Sequence, residues 1–139
     1  MISSDSIENI LKALDKNIGI YGGTKISIVV CGGTALFALN LIDRTTKDVD
    51  VLGLIDKKTK KHKICYIKEF PKWFLSSAET VARDFNLPDD WINLGPANQI
   101  KTGLPEGLFE RLTKKAYGKY LDVFFISRID QVFLNYMRQ

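Results

Sequence analysis

The sequence predicts an α+β fold, and three observations carry that expectation. Short β-branched runs are bounded by glycine, apolar residues recur at helical spacing between them, and 139 residues accommodate one domain. The runs are Lys25 to Cys31 (KISIVVC), Asp48 to Ile55, and Lys119 to Ile126 (KYLDVFFI). A hydrophobic content of 45% supplies ample material for a packed core, so a folded unit is expected rather than a disordered tail.

Ile7, Ile10, Leu11 and Leu14 follow the spacing i, i+3, i+4, i+7, with Asp5 or Ser6 in front as a cap. The chain should therefore open with an amphipathic helix that Gly19 or Gly22 and Gly23 end. Lys25 to Cys31 has the profile of a buried strand. Thr34 to Leu41, rich in Ala and Leu, reads as a helix, and Asp48 to Ile55 as a second strand. Residues 57–63 (KKTKKHK) hold five lysines and no apolar position, which makes them a loop or hairpin end before a strand resumes at Lys63 to Ile67.

Pro71 suits the first turn of a helix running to about Asn86, with Trp73, Phe74, Ala78, Val81 and Phe85 on its core side. Leu87 to Gly103, containing Pro88, Gly95 and Pro96, reads as a long irregular connection of the kind that often carries function. Pro105 to about Lys114 reads as a short helix, and Lys119 to Ile126 as a strand. Ser127 caps a last helix holding Ile129, Val132, Phe133 and Tyr136. That apolar set should lie against the sheet or in a subunit interface, the second case making a homo-oligomer through the C-terminal helix.

The formal net charge of +4 suits a phosphate-bearing ligand without requiring one. Two cysteines, Cys31 and Cys65, and one histidine, His62, stand in no metal-ligand spacing, so a zinc site or disulfide framework has almost no support. Reduced thiols in a cytoplasm are the simplest expectation. The opening MISSDSIENILKALDK lacks the basic start and continuous apolar stretch of a signal peptide, and no later run approaches a membrane span.

Gly32-Gly33-Thr34 lies between a strand and a helix, where backbone amides favour an anion and glycine lets a phosphate approach closely. Two glycines alone equally describe a tight turn, and neither the dinucleotide fingerprint nor the phosphate-loop motif is completed here. Asp48 and Asp50 add the second half. Alternation along a strand puts both carboxylates on one face while Val49 and Val51 point into the core. Like charges side by side are tolerated when solvated, or when a divalent cation sits between them; Mg²⁺ takes one or two carboxylates together with phosphate oxygens.

The order of apolar strand, Gly-Gly-Thr, helix, then Arg-x-Thr-x-Asp-x-Asp entering a strand resembles the minimal nucleotidyltransferase domains of the DNA polymerase beta superfamily. The bacterial group that includes abortive-infection (AbiEii-like) toxins is the most similar. The resemblance implies a mixed β-sheet flanked by helices. It maps the family's motif onto Gly32, Gly33, Asp48, Asp50 and a third acid at Asp122 in YLDVF. Family members continue beyond that strand into a helical region carrying lysine. Asn135 stands near where that lysine is expected and the sequence ends at Gln139, so a single domain over residues 1–139 without that region is expected.

By the same resemblance, Asp48, Asp50 and Asp122 bind Mg²⁺ or Mn²⁺, and Gly32, Gly33 and Thr34 hold the triphosphate of an NTP. Nucleoside monophosphate passes to a hydroxyl of a tRNA end, a protein or a small molecule. Arg44 is a further phosphate contact or else the partner of a nearby acid such as Asp43 or Asp48. The lysine run is read as a solvated loop, His62 as a bystander, and Trp91 as a residue capping the core or bordering an acceptor groove. Two classes follow: the enzyme, or a protein that keeps the fold as a binding or regulatory partner in a toxin-antitoxin-like or defence system.

Overall fold

The computed structural model describes residue 2 and residues 4–38, 48–56 and 63–137. Helix α1 (Ser4–Ile20) leads into strand β1 (Ile26–Cys31), then helix α2 (Gly33–Ala38) and strand β2 (Val49–Asp56). Strand β3 (Lys63–Cys65), helix α3 (Lys72–Phe85), a two-residue strand β4 (Ile92–Asn93) and helix α4 (Gln99–Thr102) follow. Strands β5 (Thr113–Ala116) and β6 (Leu121–Phe125) and helix α5 (Arg128–Met137) complete the order. The fold is α+β with a mixed sheet in the order β3-β2-β1-β6-β5. Strand β1 runs parallel to β6 and antiparallel to β2, and β4 joins β2 in parallel on the edge that β3 also uses.

Register and alternation divide the sheet into two faces. Ile28, Val30, Val49, Val51, Leu121, Val123 and Phe125 share one of them, and every one is fully buried. Against it packs α1 through Ile7, Ile10, Leu11, Leu14 and Ile18, with α3 contributing Phe74, Ala78 and Val81. Each such side chain contributes about 1.5–3 kcal/mol by leaving water, so this layer is the main source of stability. Asp15 of α1 fixes the start of β6 by accepting the Tyr120 and Leu121 amides at 2.8 Å.

Several local expectations are corrected. The stretch 105–114 forms a 3-10 turn at Phe109–Arg111 and then β5, not a helix. The irregular connection 87–103 contains β4, a 3-10 turn at Gly95–Asn98 and α4. Phe85 is exposed at the end of α3, whereas Phe74 is buried. Helix α1, by contrast, ends as one of the two alternatives expects, at Ile20 with Gly22 following at a positive φ of 75°. Among the described residues, no helix is long and apolar enough to cross a membrane.

Candidate functional site

The second sheet face carries the polar residues. Cys31 pairs with Asp50 at the carboxyl end of β1, and Asp50 pairs with Asn93 on β4, so Asp50 and Asn93 stand side by side. A register shift in the β1 and β2 ladder between Val29 and Val30 lies just below. Bulges of this kind re-aim side chains near sites.

Both aspartates are held through their backbones. The Thr34 hydroxyl, fully buried, donates to the Asp48 carbonyl at 2.9 Å, and the Cys31 thiol donates to the Asp50 carbonyl at 3.7 Å. Trp91 fixes the neighbouring strand, since its carbonyl accepts the Val49 amide at 2.6 Å while its indole N–H donates to the Ala78 carbonyl at 2.9 Å. Trp91 is therefore a buried anchor between α3 and the sheet, not part of an open groove.

Asn93 was not among the residues singled out from sequence. Its Nδ2 lies 3.3 Å from Asp48 Oδ2 and 3.4 Å from Asp50 Oδ1, and it also reaches the Asp90 carbonyl. The Gly95 amide donates to Asn93 Oδ1 at 2.8 Å, which fixes the orientation of the side-chain amide and turns its N–H groups toward the carboxylates. The Asp48 carboxyl is pushed up from 3.8 to about 6. Partial burial is the largest cause and the neighbouring Asp50 carboxylate the next, while the Asn93 hydrogen bond pulls the other way.

Gly32 is required where it stands. Its φ is +77°, and a Cβ there would lie 2.6 Å from Asp50 Oδ2. Its amide, however, donates to Gln131 Oε1 of α5 at 2.5 Å, so this N–H is turned toward the last helix and not toward an incoming anion. Gly33 opens α2 beside it. Thr34 acts on Asp48 rather than facing a ligand. Arg44 lies outside the described residues, as do His62 and the lysines of 57–61.

Asp122 does not join the pair. It sits opposite Ser27 in the β1 and β6 ladder, whereas Asp50 sits opposite Cys31, four residues further along β1. That offset is about 13 Å along the strand at roughly 3.3 Å per residue. The two acids also stand two strands apart, beyond the span of one metal. Asp122 is fully buried and ion-paired with Lys25 at 3.3 Å and Lys114 at 3.7 Å. Alternation gave it the right face and left its position along the strand open. Among the described residues, no group of three or more His, Cys, Asp or Glu could hold a metal ion.

Asp130, in the first turn of α5, is bonded through both carboxylate oxygens. Arg111 clamps it at 3.0 and 2.6 Å, and Ser127, the α5 cap, donates to it at 2.6 Å. Burial would raise its carboxyl, and the Arg111 and Ser127 hydrogen bonds outweigh that and hold it below the usual range. A cavity of about 380 Å³ lined by Phe70, Leu75, Ala78, Glu79, Asp89 and Ile92 opens beside α3. Ile92 alternates with Asn93, so this cavity is on the opposite face from the carboxylate pair.

No family model, curated protein or solved structure matches the chain.

Proposed function

We propose that Asp48 and Asp50 hold a divalent cation, Mg²⁺ or Mn²⁺, that carries a nucleoside triphosphate, and that the chain is a nucleotidyltransferase-like protein. The observation that carries this reading is the crowding of the pair. Burial first and the neighbouring Asp50 carboxylate second raise the Asp48 carboxyl to about 6, and the Asn93 amide touches both acids, on a backbone fixed by Thr34 and Cys31 and beside a glycine whose missing Cβ leaves room for Asp50. Oxygen donors so arranged fit a hard cation that keeps phosphate oxygens as its other ligands. When bound, such an ion neutralises the pair and polarises a phosphoryl oxygen.

The protein's own residues then have separate tasks. Asp48 and Asp50 bind, the Asn93 amide orients both carboxylates from the side, and Gly32, having no Cβ, leaves the Asp50 carboxylate its place. The reaction class is in-line attack of an acceptor hydroxyl on the α-phosphorus. The new P–O bond forms as the bond to the β-phosphate oxygen breaks, pyrophosphate leaves with the electron pair, and the hydroxyl proton passes to water. Acceptors of this class include a tRNA end, a protein hydroxyl and a small molecule.

One observation favours the second reading, a nucleotide-binding or regulatory partner without transfer. The third group at the pair is an amide, and Asp122, the acid expected there, is paired with two lysines elsewhere. Calorimetry with Mn²⁺ and NTP tests the cation site: binding should need the cation and disappear in Asp48→Asn with Asp50→Asn. Labelled-NTP transfer to total tRNA and lysate separates the two readings. Equal NTP affinity with chelator, or in the double variant, would remove the cation-dependent enzyme and point to the second reading.

A further inference from the structure

Helix α5 is mounted with its polarity reversed. Asp130, Gln131 and Leu134 face the domain, whereas Ile129, Val132, Phe133 and Tyr136 are 74%, 62%, 39% and 73% exposed. The four follow the spacing i, i+3, i+4, i+7, so they form one stripe along the helix. The inward face is fixed by directed polar contacts, Arg111 and Ser127 on Asp130 and the Gly32 amide on Gln131. The helix cannot roll its apolar stripe inward without breaking the bidentate Arg111 contact and leaving the buried Asp130 carboxylate without its charged partner, which is unfavourable. The other exposed large apolar residues, Ile20, Tyr21, Tyr66, Leu75 and Phe85, are scattered over other elements.

We propose that the α5 stripe is the contact surface of a homodimer, two copies of this chain packing stripe to stripe about a two-fold axis. The area argues for it. The four side chains leave on the order of 500 Å² in water, a patch at the upper end for a soluble monomer and of a size that is often functional. An isologous contact uses the same patch twice, giving about 1,000 Å² in total, the threshold for a specific interface. Electrostatics allow it as well. The stripe holds no charge, so two copies meet without like-charge conflict, and the polar exposed neighbours Arg128 and Asn135 are left to the rim. Ridges at three- and four-residue spacing on one helix interdigitate with those of an antiparallel copy. An interface at the threshold area belongs with weak, transient contacts, so a dissociation constant on the order of micromolar is the value to test.

Sedimentation of the full chain from about 5 to 200 µM, a range bracketing such a constant, tests this. The parent should pass from monomer to dimer. Val132→Glu and, independently, Tyr136→Glu should each weaken the dimer at least tenfold with unchanged melting, because both positions are exposed. Leu75→Glu, on an exposed position of α3, should leave dimerisation intact. A parent that stays monomeric at the highest concentration would overturn the proposal. So would a dimer that survives both α5 substitutions, or one that Leu75→Glu abolishes.

Discussion

Asp48→Asn should stabilise the protein at neutral pH, and the gain should vanish in acid. In the folded chain the Asp48 carboxyl is raised from 3.8 to about 6 by burial and by Asp50. Between these values the folded state keeps a proton that the unfolded state has released, so stability falls as pH rises through that window and levels off above about 6. A rise of this size corresponds to ~3 kcal/mol. Because Asp48 is only partly buried, solvent screening reduces the realised cost to about 1–2 kcal/mol. Asparagine keeps an oxygen for the Asn93 amide and removes the charge. Melting curves should therefore show Asp48→Asn about 3–6 °C above the parent at pH 8 and level with it near pH 4. Mg²⁺ or Mn²⁺ should raise the parent's melting temperature by mass action and leave the variant's unchanged. A variant no more stable than the parent at pH 8, or equally advantaged at both pH values, would refute the claim that the pair is electrostatically strained.

Gly32→Ala should destabilise by about 1–3 kcal/mol, since alanine is strained at a positive φ. Its methyl should also displace the Asp50 carboxylate, so Mn²⁺ titration of the folded fraction should show weakened binding. Asp122→Asn should lower the denaturant midpoint by the equivalent of about 1–3 kcal/mol, through loss of charge-assisted contacts to Lys25 and Lys114, while leaving Mn²⁺ affinity as in the parent. Loss of cation binding in Asp122→Asn without loss of stability would return that acid to the site.

The parts of the fold legible in the sequence are those with strong local period. Strand β1, strand β2 and the apolar positions of α1 and α3 follow from alternation or helical spacing, and the shared face of Asp48 and Asp50 with the burial of Val49 and Val51 follows from the same rule. What periodicity leaves open is register. Asp122 has the expected face but lies opposite Ser27, a pairing that no local pattern specifies. Asn93 reaches Asp50 across 43 residues of sequence through a strand only two residues long, too short to leave a periodic signal. Strand β5 is TKKA with every residue exposed, so its polarity hides it among loops. The orientation of α5 was unreadable for a related reason: the partners that turn its polar face inward, Arg111 and Gly32, come from distant segments.

The hydrogen bond from Gly32 to Gln131 joins residues 99 positions apart. Closing so long a loop costs about 4 kcal/mol of chain entropy, more than one hydrogen bond returns, so the link forms only together with the docking of α5 on Arg111. During synthesis the glycine turn emerges 99 residues ahead of its latch. A growing chain on the ribosome therefore carries both aspartates long before the turn beside them is fastened, and the platform becomes rigid only once Gln131 has been made.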